Sequence, residues 1–201
     1  MAVDMGNIFH ETLEAFSKKL DASDYTWRTL PQEVADEWVE ECLASLTVDY
    51  GNTVLNSTAR NNYMIRRMAR ILKRTVWALG EQIRKGLFTP ENYEISFSSV
   101  SDLESINIEL SPEERLKLRG RIDRVDTCED GEHVYVKVID YKSGNTSFQL
   151  LSLYHGLQLQ LVIYLNAAME LMKKEHPDKE VLPAGVLYYQ LQDPVLDTDG
   201  E

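Results

Sequence analysis

Hydrophobic positions fall in two rhythms along this chain. From Met5 to Leu20, Ile8, Phe9, Leu13, Phe16 and Leu20 recur at helical spacing and predict an amphipathic helix. Pro31 opens a second helical pattern that runs to about Val48, with Val34, Trp38, Leu43 and Leu46 inward. Asp49 to Ser57 is polar and reads as a loop. A longer helix is predicted from about Thr58 to Lys85, striped by Met64, Ile65, Met68, Ile71, Leu72, Val76 and Leu79, and Pro90 closes this helical part. There the rhythm changes to two. Tyr93 to Val100 alternates and reads as a first strand, and Ser101 to Pro112 is a polar connection with room for a short strand at Ile106 to Leu110. Arg119 to Lys142 holds two alternating runs around Glu129-Asp130-Gly131-Glu132, the pattern of two half-buried strands joined in a hairpin. Ser147 to Glu175 returns to helical spacing as one long helix, with Leu150, Leu153, Tyr154, Leu157, Leu161, Tyr164, Leu165, Ala168 and Leu171 inward. Pro183 to Leu191 is the last predicted strand. This order is that of an α/β chain with a mixed sheet. A helical crossover between Lys142 and Val186 allows one parallel pairing.

Composition adds limits. The chain has 201 residues, the size of one domain, here with an N-terminal helical part over residues 5–90 and a sheet-containing core over 91–191. No apolar run reaches the about 18 residues that a membrane helix needs. Cys42 and Cys128 are the only cysteines and show no metal-ligand spacing, so a reducing cytoplasm is expected. The net charge of -12 argues against indiscriminate nucleic-acid binding, but the charge is uneven. Residues 1–50 carry eleven acids against three bases, whereas residues 60–85 carry eight bases against Glu81 alone. Arg66, Arg67, Arg70 and Arg74 lie mostly off the apolar stripe of their helix. They form either a solvated face or a contact for a polyanion.

The chemistry concentrates at the far end of the hairpin. Val134, Val136, Val138, Asp140 and Lys142 share one strand face, and Arg121, Asp123 and Val125 share one on the other strand. A turn near Gly131 puts Asp123 within a residue or two of opposite Asp140. Two carboxylates and a lysine gathered there suit a hard divalent cation and developing negative charge. The competing reading is a surface hairpin with charges on its wet face, because Asp-x-Lys is a common triplet. Apolar Val134, Val136 and Val138 leading into Asp140, Gly120 three residues before Asp123, and the sharp exit Ser143-Gly144-Asn145 weigh against it.

Gly120-Arg121-Ile122-Asp123-Arg124-Val125-Asp126 followed by Ile139-Asp140-Tyr141-Lys142-Ser143-Gly144 resembles the core of the PD-(D/E)xK nuclease superfamily, in its RecB-type branch. Gly6-Asn7-Ile8-Phe9-His10-Glu11 resembles that branch's Gly-x-x-x-His helix, and Gln160-Leu161-Val162-Ile163-Tyr164 its Gln-Leu-x-x-Tyr helix. Leu157-Gln158-Leu159-Gln160-Leu161 after the Tyr-Lys-Ser-Gly strand is most similar to AddB (RexB) helicase–nuclease subunits. The four motifs occur in order from Met5 to about Gln190.

The resemblance implies a restriction-endonuclease-like core: a mixed central sheet flanked by helices, with an N-terminal helical lobe. It implies an exonuclease that hydrolyses DNA phosphodiester bonds with Mg²⁺ or Mn²⁺, within an ATP-dependent helicase–nuclease for double-strand-break repair and recombination, alongside an AddA-type helicase/nuclease subunit. Asp123, Asp140 and His10 would hold the metal, with the Tyr141 carbonyl as a further ligand. Lys142 would orient the attacking water or stabilise charge, and Gln160 and Tyr164 would position the phosphate or the groups around it. Glu94 is a weaker candidate acid on the first strand. The cysteines that hold an iron–sulfur cluster in AddB-type subunits have no counterparts before Met5 or after Cys128, so no such cluster is expected in this chain. No phosphate-binding Gly-x-x-x-x-Gly-Lys-Ser/Thr segment is present either. The alternative is a nuclease fold that has lost catalysis and serves as a DNA-binding or assembly scaffold, which the intact Asp123, Asp140 and Lys142 oppose. A second alternative, a magnesium phosphohydrolase of unrelated fold, would have no use for the Arg-rich helix.

Overall fold

The computed structural model describes residues 2–49, 59–96, 107–111, 114–117, 120–144 and 146–193. The loop expected at Asp49–Ser57 falls largely outside them, as do Arg119 and the second half of the first expected strand. Two compact units emerge. One comprises residues 1–84, 142–145 and 190–201; the other comprises 85–141 and 146–189.

The first unit is helical. Helix α1 spans Ala2–Asp21, α2 Gln32–Asp49 and α3 Ala59–Lys85. Ile8, Phe9, Leu13, Phe16 and Leu20 of α1 are all buried, as its spacing demands. Phe16 is fully enclosed, with Trp27 at 5.6 Å and Trp38 at 6.3 Å between ring centroids. Helix α3 buries Met68, Ile71, Leu72, Val76, Leu79 and Ile83 and leaves Arg66, Arg67, Arg70 and Arg74 outside. No helix among the described residues is long and apolar enough to cross a membrane.

The second unit is built on a four-stranded sheet. Its strands are β1 (Thr89–Ser96), β4 (Arg121–Glu129), β5 (His133–Lys142) and β6 (Glu180–Gln190), side by side in that order. Between β1 and β4 in the chain, β2 (Asn107–Ser111) and β3 (Glu114–Lys117) make a separate two-stranded ribbon. Strand β1 runs antiparallel to β4, and β4 antiparallel to β5. Glu180 N–H donates to the Glu132 carbonyl and Leu191 N–H to the Lys142 carbonyl. Start beside start and end beside end make β5 and β6 parallel. The sheet is therefore mixed, as expected. Val125, Val134, Val136 and Val138 form the core with Tyr164, Ala167, Ala168 and Met172 of the helix that follows. The transfer of each such aliphatic side chain out of water contributes about 1.5–3 kcal/mol before conformational entropy is subtracted.

Four expectations need correction. Pro90 does not close the helical part: α3 ends at Lys85 and β1 already begins at Thr89. The strand accommodates the proline because β1 is an edge and its register shifts between Pro90 and Asn92. The ribbon strand β3 is an element that the hydrophobic pattern does not predict. Strand β4, expected to be half-buried, is buried on both faces from Ile122 through Thr127. Finally, Ser147–Glu175 is not one helix. It divides into α4 (Leu150–Tyr154) and α5 (Gln160–Glu175). Gly156 lies between them at φ 74°, with its N–H on the Leu153 carbonyl and Leu157 N–H on the Ser152 carbonyl, a Schellman stop that needs glycine's left-handed backbone. The Gln158 side chain then clasps the loop, accepting from Gln149 N–H and donating to the Ser147 carbonyl, both at 3.0 Å. Leu150, Tyr154 and Leu157, expected inward, are exposed.

The hairpin turn rests on a side chain. Gly131 has no positive φ. The Asp130 carboxylate instead accepts the N–H groups of Glu132 and His133, at 2.9 and 2.7 Å. These two bonds, Glu132's first, hold its carboxyl at about 2 against an ordinary 3.8. A lowered folded-state pKa contributes stability that is fully present above the unfolded value and is lost as pH falls through the folded one. Asp130→Ala should therefore lower the urea midpoint by a constant amount above pH 3.8, and the deficit should shrink as pH falls toward 2. A deficit independent of pH across that interval would assign the loss to something other than these bonds.

Candidate metal centre

Three neighbouring strands of the second unit each bring a carboxylate to one row. The β4–β5 ladder pairs Val125 with Val138 and ends at Arg124 with Ile139, and the same register carried one residue further brings Asp123 opposite Asp140. The β1–β4 ladder pairs Tyr93 with Arg124 and Ile95 with Ile122, which leaves Glu94 opposite Asp123. Residues directly opposite in an antiparallel pair share a face. Glu94, Asp123 and Asp140 thus lie side by side at the end of the valine stripe that α5 covers. All three are withdrawn from solvent: Asp123 is 6% exposed, Asp140 2%, and the Glu94 side chain 5%.

Asp123 and Glu94 are each held by a neighbour in the sheet. Tyr141 N–H donates to Asp123 Oδ2 at 2.7 Å, which fixes the Asp123 side chain against the end of β5. Glu94 pairs with Arg121, two residues before Asp123 on the same face of β4. Glu94 is also the one residue other than glycine with positive φ among those described, at 50°. A glutamate in the left-handed region is strained by about 1–3 kcal/mol, and such strain persists where the surrounding structure dictates it. The sequence offered only a lone acid in an alternating run, with nothing to signal this backbone. An all-oxygen set of buried carboxylates suits a hard divalent cation that prefers oxygen ligands.

The other expected residues distribute as follows. Lys142 closes β5 two residues beyond Asp140, hence on the same face of that strand. Tyr141 is buried, and its phenol is pushed above its usual pKa chiefly by that burial. Gln160 opens α5, and its amide donates to the Tyr164 hydroxyl at 2.8 Å, while the Tyr164 ring packs in the core beneath. The pair therefore meets as the i, i+4 spacing requires. His10 stands on α1 in the first unit, partly buried, one turn after Gly6. A methyl group built on Gly6 would meet Ser143 Oγ of the same unit at 3.2 Å, so a glycine there lets α1 approach the segment 142–144 closely. On α3, Arg67 and Arg70 are both tied to Asp193, and Arg66 and Arg74 are exposed. Phe9, Met68, Arg67, Gly144 and Asp193 line a cavity of about 360 Å³ in that unit.

Behind the row lies a network that the sequence did not announce. Arg124, 1% exposed, forks onto both carboxylate oxygens of Asp126 and donates to the Tyr141 hydroxyl at 3.5 Å. Lys137 reaches Asp126 Oδ2 at 2.8 Å and lies over the Phe88 ring. Burial works against the Arg124 charge, but Tyr141 and Asp126 outweigh it and its pKa is raised.

The strain at Glu94 is measurable. Glycine occupies the left-handed region without penalty, and its introduction also separates Asp123 from one like charge. Glu94→Gly is expected to raise the metal-free unfolding free energy by about 1 kcal/mol, the low end of the strain estimate. A urea titration without divalent ions tests this, and a destabilised variant would mean that the Arg121 pairing outweighs both terms.

Comparisons with known proteins identify the family. The family model described as the PD-(D/E)XK nuclease superfamily matches residues 1–201. A protein of Lachnoclostridium phytofermentans, named as an ATP-dependent helicase/deoxyribonuclease subunit, is 48% identical over 193 residues, which is 96% of this chain and 16% of that protein. Proteins of the same name from Alkaliphilus metalliredigens and Clostridium tetani are 40% and 36% identical, over 97% and 98% of this chain and 17% of each of theirs. The chain thus spans about a sixth of the length of these curated relatives. With carboxylates on three adjacent strands and a matching model over its whole length, the chain belongs to the PD-(D/E)XK nuclease superfamily.

Proposed function

We propose that this chain is a metal-dependent deoxyribonuclease domain that hydrolyses DNA phosphodiester bonds as an exonuclease. Its setting would be an ATP-dependent helicase–nuclease in the cytoplasm, acting in double-strand-break repair and recombination with an AddA-type helicase/nuclease subunit. The observation that carries the reading is the row Glu94, Asp123, Asp140 at the end of a buried valine stripe. Grouped carboxylates repel one another, and a divalent cation relieves that repulsion.

In this reading Asp123 and Asp140 bind Mg²⁺ or Mn²⁺, with His10 and the Tyr141 carbonyl as further ligands on the family pattern. Such a cation, when bound, supplies Lewis acidity toward the phosphoryl group and the attacking water. Tyr141 N–H keeps one oxygen of Asp123 engaged and presents the other. Lys142 contributes a cation on the same strand face as Asp140, where charge grows on the phosphoryl oxygens. The Gln160–Tyr164 pair braces the start of α5 against the sheet and lets the amide oxygen meet substrate or water. The name shared by the relatives supports the helicase–nuclease setting.

Digestion of end-labelled linear DNA tests this. Wild type should cleave with Mg²⁺ or Mn²⁺ and be inert in EDTA, and Asp140→Ala should abolish both cleavage and calorimetric Mn²⁺ binding. Lys142→Ala should keep metal binding and lose about a hundredfold in single-turnover rate, the scale of one missing charge-stabilising donor. A wild type that binds DNA and metal without cutting would leave the inactive scaffold as the answer.

Helix α3 supplies the DNA contact. Asp193 already occupies Arg67 and Arg70 much as a phosphate would, so the burden falls on exposed Arg66 and Arg74. Changing Arg66 and Arg74 to Glu should make the salt slope of DNA binding shallower by about one to two, because fewer counterions are released. Fluorescence anisotropy across a salt series checks it, and an unchanged slope would make this face merely solvated.

A further inference from the structure

The buried ions of β4 and β5 lie on the face opposite the carboxylate row. Directly paired residues Asp126 and Lys137 share that face, as do Arg124 and Ile139, and Tyr141 follows two residues on. Arg124, Asp126 and Tyr141 are all buried. Removing a guanidinium and a carboxylate from water is costly, and well-packed apolar side chains of like volume often hold a core equally well. A sheet that needed only cohesion here could use more of the valines found on its other face.

One residue links the two faces. Tyr141 gives its backbone N–H to Asp123 at 2.7 Å and its hydroxyl accepts from Arg124 at 3.5 Å. Its ring is wedged edge-on against Tyr189, with 5.9 Å between centroids. Arg124 in turn cannot swing, because Asp126 holds its fork at both oxygens and Lys137 holds Asp126. The paired rungs of β4 and β5 reach Arg124 and Ile139, and beyond them it is the Asp123 carboxylate that takes the next amide.

We infer that Arg124, clamped by Asp126 and Lys137, is a positioning residue: through Tyr141 it sets the Asp123 carboxylate and the end of β5 in the geometry that receives the metal. This rests on the proposed function. Arg124 touches neither metal nor substrate; it acts by removing the freedom of a residue that does. Outer partners of this kind typically govern metal affinity by about tenfold or more, through the orientation of the ligand they hold.

The test uses the whole chain and two variants. Arg124→Met combined with Asp126→Leu replaces the ion pair with apolar volume and leaves Lys137 free to reach solvent. Tyr141→Phe removes only the hydroxyl and keeps the ring on Tyr189. Thermal melts establish folding. Mn²⁺ affinity is read by calorimetry, and amide exchange at Tyr141 by NMR in metal-free buffer. The double variant should fold, bind Mn²⁺ about tenfold more weakly, and expose the Tyr141 amide to faster exchange. Tyr141→Phe should shift affinity in the same direction by about threefold, a fraction of the full effect. The Michaelis constant for DNA should hold while kcat falls. A folded variant with wild-type Mn²⁺ affinity and wild-type exchange at Tyr141 overturns the inference. If the double variant does not fold, Tyr141→Phe alone decides it. A wild type that binds no Mn²⁺ overturns the proposed function and this inference with it, which separates the two failures.

Discussion

Three carboxylates set side by side on neighbouring strands repel one another, and the second unit is arranged around containing that repulsion. The ladders must hold register at the end of the sheet, where strands ordinarily fray. Three devices serve there: Tyr141 N–H on Asp123, Arg121 on Glu94, and the valine stripe that seats β4 and β5 against α5. The turn at the other end is locked by Asp130, so the hairpin cannot slip by one residue. A slip of one would carry Asp123 and Val125 to the opposite face and scatter the row.

The parts of this arrangement differ in how plainly they were written in the sequence. The hairpin was legible because two alternating runs flank an Asp-Gly turn, and that fixed Asp123 to within a residue or two of Asp140. The helices of the first unit were legible because their apolar stripes run unbroken for several turns. The break at Gly156 was not, because Leu150, Tyr154 and Leu157 continue a helical rhythm across a glycine that a helix can tolerate; only the Schellman bonds reveal that the chain stops there. Glu94 was visible as an acid but not as a strained one, since backbone φ leaves no mark in an alternating pattern. Arg124 and Asp126 fall on the second face of a strand whose alternation predicts only half burial. Their burial depends on covering that face, a tertiary fact that period-two alternation cannot encode.

The two faces of the hairpin divide the labour. One carries valines and then carboxylates, so hydrophobic burial leads directly into chemistry. The other carries an ion network that contributes less cohesion than apolar side chains would. What it offers is direction, since a forked guanidinium–carboxylate pair has one good geometry whereas valines slide. The left-handed backbone at Glu94 is a second place in this unit where local stability is given up.

The parallel pairing of β5 with β6 has a kinetic side. Antiparallel β4 and β5 are joined by a short turn and can meet at once, whereas β6 must wait until α4, α5 and their loop have been threaded across the sheet. Closing that longer loop carries more entropy, and contacts of high sequence separation come late in folding. Asp123 and Asp140 both belong to the early hairpin. On loop length alone the two carboxylates would come together first and the strand beside them last, so a nascent polypeptide would hold the rudiment of its proposed site before its sheet is complete.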